Sequence, residues 1–413
     1  MATVQNLQID RERLWRSLME MARIGATPKG GCKRLALSDL DKEGRDLFVK
    51  WCKEAGCTVT VDRMGNIFAR RPGRKNDEPP VVTGSHLDTQ PTGGKFDGVY
   101  GVLAGLEIIR TLNDSGYETD VPIEVAVWTN EEGSRFAPAM TASGVFGGVF
   151  TEEYGHSRKD LDGKTIREEL ERIGYLGDQP VGGRKFRAFF EAHIEQGPIL
   201  EAERKTVGVV LGIQGMKWFE VTLTGRESHA GTTPMNRRAD AMLACARVVD
   251  RVNRIALDFA PGVSTVGLVQ VSPNSRNTIP GTVFFTVDLR HPRDEVLAKM
   301  KARFEAELAE VCGGLGVAVE CKEIWNSPAI HYHDDCIAAV RKAAQDAGYP
   351  HMDIVSGAGH DAGYVNRVAP AGMVFVPCEN GISHNEIESA TPDDLAAGCN
   401  VLMRAMLSLA MAG

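Results

Sequence analysis

Apolar residues recur along this chain in two periods, one typical of buried strands and the other typical of amphipathic helices. Nearly continuous apolar runs predict buried strands over residues 81–85, 121–129, 188–193 and 371–377. Helical spacing predicts helices over residues 8–25, 39–55, 98–112, 334–347 and 391–411. A hairpin is predicted at 57–61 and 66–70, and a charged helical stretch at 151–180 with Leu161 on its buried stripe. This succession of elements predicts an α/β fold built on a mixed sheet.

The pattern changes character between residues 212 and 330. Strands are predicted there at 217–224, 264–271, 282–289 and 317–325, and amphipathic helices at 239–255 and 294–311. The order β-α-β-β-α-β is the ferredoxin-like arrangement, and its length suits a separate domain. We therefore expect a first α/β domain formed by residues 1–211 and 331–413, with residues 212–330 inserted as a second domain.

Composition narrows the class of protein. The chain has 413 residues, of which 43% are hydrophobic and 25% charged, as in a globular protein with ample core. The net charge of -8 argues against a nucleic-acid partner. Residues 1–30 hold no apolar run long enough for a secretory signal or a membrane span. The nine cysteines are scattered without a CxxC pair, which favours reduced thiols in the cytoplasm.

Polar side chains follow the predicted buried strands at the points where those strands end. Because ligands gather beyond the carboxyl ends of strands in open α/β sheets, we expect these groups to converge. Imidazole and carboxylate donors suit zinc or manganese, and the lack of cysteine argues against a structural zinc site. The candidate groups are His86, Asp88, Asp97, Glu131, Glu132, His193 and His384.

Spacing suggests how these groups divide the chemistry. His86 and Asp88 share a face of an extended segment, so the acid can orient the histidine. Glu131 and Glu132 cannot share a face, so one can ligate a metal while the other takes a proton from a water that the metal acidifies. With Asp97 between two ions, the set is suited to a two-metal hydrolytic site.

Longer motifs carry a resemblance to a known family. They include GSHLDTQPTGGKFDGVYGVLAGLE (84–107), TNEEGSRFAPAMTASGVFGG (129–148), HIEQGPILE (193–201), SHAGTTPMNRRAD (228–240), VDLRHP (287–292), SGAGHDA (356–362) and ENGISHNEIE (379–388). The chain resembles the metal-dependent amidohydrolases of the M20 peptidase superfamily. Within it, the chain is most similar to the branch of N-carbamoyl-L-amino acid hydrolases, β-ureidopropionases and allantoate amidohydrolases.

The resemblance implies a role for each candidate. Two divalent ions per subunit, zinc or else manganese, cobalt or nickel, would be bound with Asp97 as the bridge. Glu131 would be the general base and Asp88 the orienting acid. The fold would be a mixed-sheet metallohydrolase domain with an inserted ferredoxin-like domain that acts as a lid and forms a homodimer. The implied ligands are His86, Asp97, Glu132, His193 and His384.

A small ureido substrate is expected, and it needs its own contacts. Arg290 is the candidate for gripping a substrate carboxylate, because guanidinium binds carboxylate bidentately. Gln196 and Gln214 suit the amide and ureido groups, and His229 and Asn277 resemble family residues that stabilise the reacting carbonyl oxygen. Backbone N–H groups of Gly357, Ala358 and Gly359 are further candidates for binding the carboxylate.

These residues predict hydrolysis of the carbamoyl (ureido) C–N bond of N-carbamoyl amino acids, with release of the amino acid, carbon dioxide and ammonia. Allantoate amidohydrolase is the first alternative, because its ligands and chemistry are the same. A dipeptidase or aminoacylase is disfavoured by His193 and Gln196. An inactive binding protein on the same fold is disfavoured by the intact Glu131.

Overall fold

A computed structural model of the chain describes residues 6–411. The chain forms two compact units. One comprises the residues up to Leu211 together with those from Tyr332 onward, and the other is Gly212–His331. Within residues 6–411, no helix is both long and apolar enough to cross a membrane.

The helices begin at capping residues that the sequence displays. Ser38 accepts the N–H of Asp41 at the start of the second helix, and Thr391 accepts the N–H of Asp394 before the last. The helices are α1 (Arg11–Met21), α2 (Asp39–Glu54), α3 (Val99–Asp114), α4 (Thr141–Phe146), α5 (Glu152–His156), α6 (Ile166–Ile173), α7 (Ile199–Ala202), α8 (Ala241–Asp258), α9 (Asp294–Leu315), α10 (Asp334–Asp346), α11 (Asp361–Val365) and α12 (Pro392–Ala410).

The strands are mostly short apolar or alternating runs. They are β1 (Thr58–Val61), β2 (Ile67–Arg71), β3 (Val81–His86), β4 (Ile123–Trp128), β5 (Ala188–Ile194), β6 (Val207–Ile213), β7 (Gly215–Thr224), β8 (Ser228–His229), β9 (Val263–Thr265), β10 (Val269–Ser272), β11 (Thr278–Ile279), β12 (Thr282–His291), β13 (Ala318–Ser327), β14 (Ile330–His331), β15 (His351–Ser356) and β16 (Ala371–Val376).

The sheet of the first unit is mixed, as expected. Its strands run in the order β1-β2-β4-β3-β5-β16-β6, with β15 also paired to β6. The central strands β4, β3, β5 and β16 are mutually parallel. All four are buried along their whole length. Their carboxyl ends therefore lie along one edge of the sheet.

The second unit is an antiparallel sheet with strand order β10-β12-β7-β13 and two helices, α8 and α9. Strand β12 alternates strictly between buried and half-buried residues, because one face packs on the helices. The predicted strand over 264–271 is divided into β9 and β10, and both parts pair with β12.

Two expectations about elements were wrong or incomplete. Leu161 is fully exposed, because Asp160 and Gly163 form a turn there in place of a continuous helix. The strands β6 and β15 and the two-residue strands β8, β11 and β14 were not predicted. Gly208 and Gly212 interrupt the apolar run of β6, which hides this strand in the sequence. Atoms of neighbouring segments lie so close to both positions that a Cβ atom would collide with them.

Candidate metal centre

The candidate groups converge at the carboxyl edge of the four parallel strands. His86 is the last residue of β3, and His193 lies one residue before the end of β5. Glu131 and Glu132 follow β4, and His384 lies in the segment between β16 and α12. The parallel arrangement of these strands thus brings together side chains that are up to about 300 residues apart in sequence.

One donor group is fully buried. His86, Asp97 and His193 each offer an atom within 4.8 Å of the others. The Oδ1 atom of Asp97 lies 3.6 Å from Nε2 of His86 and 3.1 Å from Nε2 of His193. These three side chains are suited to holding one cation.

A second donor group shares Asp97 with the first. It consists of Asp97, Glu132 and His384. Nε2 of His384 lies 3.5 Å from Oδ2 of Asp97 and 3.4 Å from Oε2 of Glu132. Asp97 therefore presents one oxygen to each group, which is the geometry that a bridging carboxylate needs.

The tautomers of the two buried histidines favour metal binding. Nδ1 of His86 lies 2.8 Å from the carbonyl oxygen of Asp88, and Nδ1 of His193 lies 2.9 Å from that of Ile194. A carbonyl oxygen only accepts hydrogen bonds, so each Nδ1 carries the proton. Each Nε2 therefore faces Asp97 and is the nitrogen that would ligate a metal.

The electrostatics of the pocket also fit a divalent cation. Burial and the neighbouring Asp97 carboxylate raise the pKa of Glu132 to about 8. Burial opposes the charging of His86, but Glu131 and Asp97 outweigh it and raise the pKa of this histidine well above its usual value. The carboxylates thus create a negative field that stabilises positive charge at this point. Nitrogen and oxygen donors without sulfur suit zinc, manganese or cobalt.

Asp88 supports both histidine and glutamate. Its carbonyl orients His86, whereas its carboxylate accepts the N–H of Glu131 at 3.3 Å and that of Glu132 at 3.2 Å. The sequence predicted orientation of His86 by the acid itself. In the structure the backbone of Asp88 makes that contact, and its side chain positions the two glutamates.

Glu131 lies beside the first donor group, with Oε2 3.5 Å from Nε2 of His86. Burial raises the pKa of Glu131 well above its usual value. The preceding Asn130 has a φ of 58° and donates to the carbonyl of Phe136 and the hydroxyl of Thr141, which fixes the turn. A buried carboxylate with a raised pKa is suited to general-base catalysis.

Gly98 permits the close packing of this site. Its φ is 67°, and a Cβ atom there would lie 2.3 Å from the ring of His86. Its N–H lies 3.1 Å from Nε2 of His193. Glycine is therefore required here by both backbone conformation and space.

Two buried arginines form hydrogen bonds to the segments that carry His86 and Glu131. Arg34 donates from Nε to the carbonyl of Leu87 at 2.8 Å, between His86 and Asp88. Arg45 of α2 pairs with Asp41 and donates to the hydroxyl of Thr129, two residues before Glu131. Both guanidinium groups are shielded from solvent.

A cavity of about 150 Å³ opens onto the donor groups. Gln196 reaches it in a left-handed conformation and donates from Nε2 to Oδ2 of Asp97 at 2.9 Å. Ala358 and Gly359 also line it, but the N–H of Ala358 already donates to the hydroxyl of Ser356. The lining residues are Gln90, Asp97, Glu131, Glu132, Ala139, Met140, His193, Gln196, Ala358, Gly359, His360 and His384.

Four of the other predicted residues belong to the second unit. His229 on β8 pairs in register with Thr278 on β11, so His229 and Asn277 are close neighbours. Arg290 on β12 forms an ion pair with Asp288 through Nε and Nη2, at 2.8 to 3.1 Å. Gln214 lies between β6 and β7.

Three residues at the site were not among the predicted ones. Gln90 donates its N–H and its side-chain amide to the two oxygens of Glu132. His360 is buried with its ring centroid 4.6 Å from that of His193. Glu388 accepts backbone hydrogen bonds from the loop that carries Asp97. Only the motifs QPTGG, GAGHDA and SHNEIE pointed to these positions.

Comparison with known proteins shows which family the chain belongs to. A solved structure of an amidase of the hydantoinase/carbamoylase family from Burkholderia multivorans has 65% identity and a TM-score of 0.96, covering 98% of this chain and 99% of its own. An N-carbamoyl-L-amino-acid amidohydrolase of Rhizobium meliloti is 53% identical over 98% of both chains. An allantoate amidohydrolase of Bacillus subtilis is 33% identical, over 94% of this chain and 95% of its own. The sequence model of Peptidase family M20/M25/M40 matches residues 82–408, and the chain belongs to that family.

Proposed function

We propose that this protein hydrolyses the carbamoyl C–N bond of N-carbamoyl-L-amino acids. The observation that carries the proposal is the placement of the buried Glu131 carboxylate beside two donor groups that share Asp97. The substrate class is supported by similarity to the Rhizobium meliloti amidohydrolase, which exceeds similarity to the allantoate enzyme.

Two divalent ions per subunit are part of the proposal. One would be held by His86, Asp97 and His193, and the other by Asp97, Glu132 and His384. Zinc, manganese, cobalt and nickel all suit these donors. When bound, such ions supply Lewis acidity for the ureido carbonyl and for water.

The residues of the chain handle the proton. Water adds to the carbamoyl carbon, and Glu131 accepts its proton. Glu131 then delivers this proton to the nitrogen of the amino acid as the C–N bond breaks. The products are the free amino acid and carbamic acid, which decomposes to carbon dioxide and ammonia. Burial suits Glu131 to both steps, because a raised pKa strengthens the base and still permits release of the proton.

Orientation of the substrate is assigned to the remaining predicted residues. Gln196, beside Asp97, is suited to the ureido group. His229 and Asn277 would stabilise the carbonyl oxygen, and Arg290 would bind the carboxylate. Gln214 and the segment Gly357–Gly359, whose Ala358 lines the cavity, complete the candidate set.

The second unit is proposed to serve as a lid and as the surface of a homodimer. Its sheet exposes Trp218 at 40% and Trp325 at 42%, with ring centroids 6.4 Å apart. Aromatic residues such as Trp are enriched in surfaces that bind protein. We place the enzyme in the cytoplasm, which its nine free cysteines, eight of them buried, support.

A substrate panel tests the proposal. Purified protein is loaded with zinc, manganese or cobalt, and ammonia release is measured. The panel holds an N-carbamoyl-L-α-amino acid, N-carbamoyl-β-alanine, allantoate and a dipeptide. We expect the fastest release from the N-carbamoyl-L-α-amino acid. Faster release from allantoate would assign the alternative, and no release from any ureido substrate would reject the proposal.

A further inference from the structure

The buried carboxylate of Glu388 lies where two segments of the metal centre meet. Its Oε1 accepts the N–H of Phe96 at 2.8 Å and that of Asp97 at 3.2 Å. Glu388 is only 2% exposed. It therefore holds the backbone of the shared ligand from a position 291 residues further along the chain.

The same carboxylate reaches the segment that carries His384. Oε2 of Glu388 lies 3.2 Å from Oγ of Ser383, and this hydroxyl lies 2.8 Å from Oδ2 of Asp97. A hydroxyl has one proton, so Ser383 donates to one carboxylate at a time. Ser383 directly precedes His384, so this contact links the His384 backbone to Asp97.

His384 needs such support more than the other donors do. Its φ is 52°, a left-handed conformation that is uncommon for residues other than glycine. Its side chain is 52% exposed, whereas those of His86 and His193 are buried. Local packing therefore fixes His384 less than it fixes the donors of the first group, and hydrogen bonds from its own loop must do more.

Gly94 shows that Glu388 occupies a space made for it. A Cβ atom on Gly94 would lie 2.0 Å from Cδ of Glu388 and 2.1 Å from Oε1. The φ of Gly94 does not require glycine. The close approach of the carboxylate does, and this accounts for the second glycine of the Gly93-Gly94 pair.

We propose that Glu388 is a positioning residue that holds Asp97 and His384 in register. It thereby determines the affinity of the donor group Asp97, Glu132 and His384. This inference rests on the two-ion site in the proposed function. Loss of Glu388 should weaken the ion of that group more than the ion held by His86, Asp97 and His193, because both histidines of the latter group are buried and held by backbone contacts of their own.

Calorimetric titration of metal-stripped protein with Zn²⁺ tests the proposal. The wild type should show two binding steps. The weaker step is expected at Asp97, Glu132 and His384, because the His384 side chain is 52% exposed. In Glu388→Ala, the weaker step should lose about 10- to 100-fold in affinity, the usual cost of removing a residue that orients a metal ligand. The tighter step should lose clearly less, because Asp97 is only one of the three donors that hold that ion. Glu388→Gln should restore most of the loss, because its amide oxygen accepts both N–H groups and its NH₂ donates to Ser383.

Glu379→Ala is the matched control, because Glu379 is an exposed glutamate in the same segment between β16 and α12. It should change neither step. An unchanged Glu388→Ala titration would overturn the proposal. Equal weakening of both steps without rescue by glutamine would indicate a merely structural role and would also overturn it.

Should Glu388→Ala fail to fold, Ser383→Ala decides the matter. Removing this hydroxyl breaks the link to His384 and leaves the hydrogen bonds of Glu388 to Phe96 and Asp97. The weaker step alone should lose affinity, and an unchanged titration would contradict the proposal. Because the titration uses no substrate, two binding steps without ureido hydrolysis would defeat only the catalytic part of the proposed function. Hydrolysis with an unchanged Glu388→Ala titration would defeat only this inference.

Discussion

The buried ion pair in α2 allows a quantitative test of how the fold supports the metal centre. Arg45 and Asp41 are both fully buried, with Nε of Arg45 2.8 Å from Oδ2 of Asp41. Arg45 also donates to the carbonyl of Gly65 at 2.8 Å and to the hydroxyl of Thr129 at 3.2 Å. Arg45→Met preserves most of the side-chain volume but removes the charge and every one of these donors.

The expected loss of stability in Arg45→Met follows from the Asp41 carboxylate that the substitution leaves buried. Asp41 would keep its N–H contact from Leu37 but would be a buried carboxylate without its cation. Breaking a buried pair in this way costs about 3–5 kcal/mol. Arg45 and Asp41 lie in the larger unit, which has roughly 300 residues. For a unit of that size, 1 kcal/mol shifts the melting temperature by about 1.6 °C. A fall of about 5–8 °C is therefore expected.

The helix supplies its own control. Lys50 and Glu54 have the same spacing as Asp41 and Arg45, but their side chains are 68% and 58% exposed and 3.9 Å apart. Lys50→Met should cost no more than about 0.5 kcal/mol. Differential scanning calorimetry of metal-stripped protein measures the melting temperature of each unfolding transition. The transition whose temperature falls in Arg45→Met is thereby distinguished from the others. If Arg45→Met and Lys50→Met shift melting equally, the buried pair contributes nothing beyond an exposed one, and the reasoning fails.

Four further outcomes are expected. Glu131→Gln should lower kcat by about 10²- to 10⁴-fold with the metal content by mass spectrometry unchanged, and retained turnover would exclude Glu131 as the base. Arg290→Ala should raise KM for an N-carbamoyl-L-amino acid by about 10-fold or more, since a charged hydrogen bond is worth about 1.5–3 kcal/mol; an unchanged KM would place the carboxylate elsewhere. Gly98→Ala should lower metal content and activity together, because its Cβ would collide with the His86 ring; normal metal content would contradict this. Dialysis against a chelator should abolish ammonia release and added zinc or manganese should restore it, whereas full activity of metal-free protein would refute a metal requirement.

The sequence predicted most of what depends on local pattern. Apolar runs located the parallel strands, and the residues after those strands supplied His86, Glu131 and His193. The helices predicted over 39–55 and 391–411 are present, with Ser38 and Thr391 as their N-caps. Such features are readable because the period of apolar residues and the carboxyl-end rule are local or topological signals.

Contacts between distant segments were not readable in the same way. Glu388 accepts backbone N–H groups of the Asp97 loop, and Gln90 donates to the carboxylate of Glu132. The local sequence around Glu388 or Gln90 does not reveal these partners. Leu161 fits a helical stripe by spacing, yet the Asp160 turn overrides it. The contact from Asp88 to His86 runs through a carbonyl group, which every residue has, so residue type could not distinguish it from a side-chain contact.

The position of β16 in the sheet bears on how the enzyme is made. This strand lies between β5 and β6, although more than 150 residues separate it from either in sequence. During synthesis, the edges of β5 and β6 that pair with β16 therefore stay unpaired while residues Gly212–His331 are synthesised and can fold. His384 and Glu388 leave the ribosome later still. Both donor groups are therefore complete only after the whole chain has been synthesised. Until β16 pairs with β5 and β6, their exposed edges can pair with other chains, so aggregation is most favoured before synthesis ends.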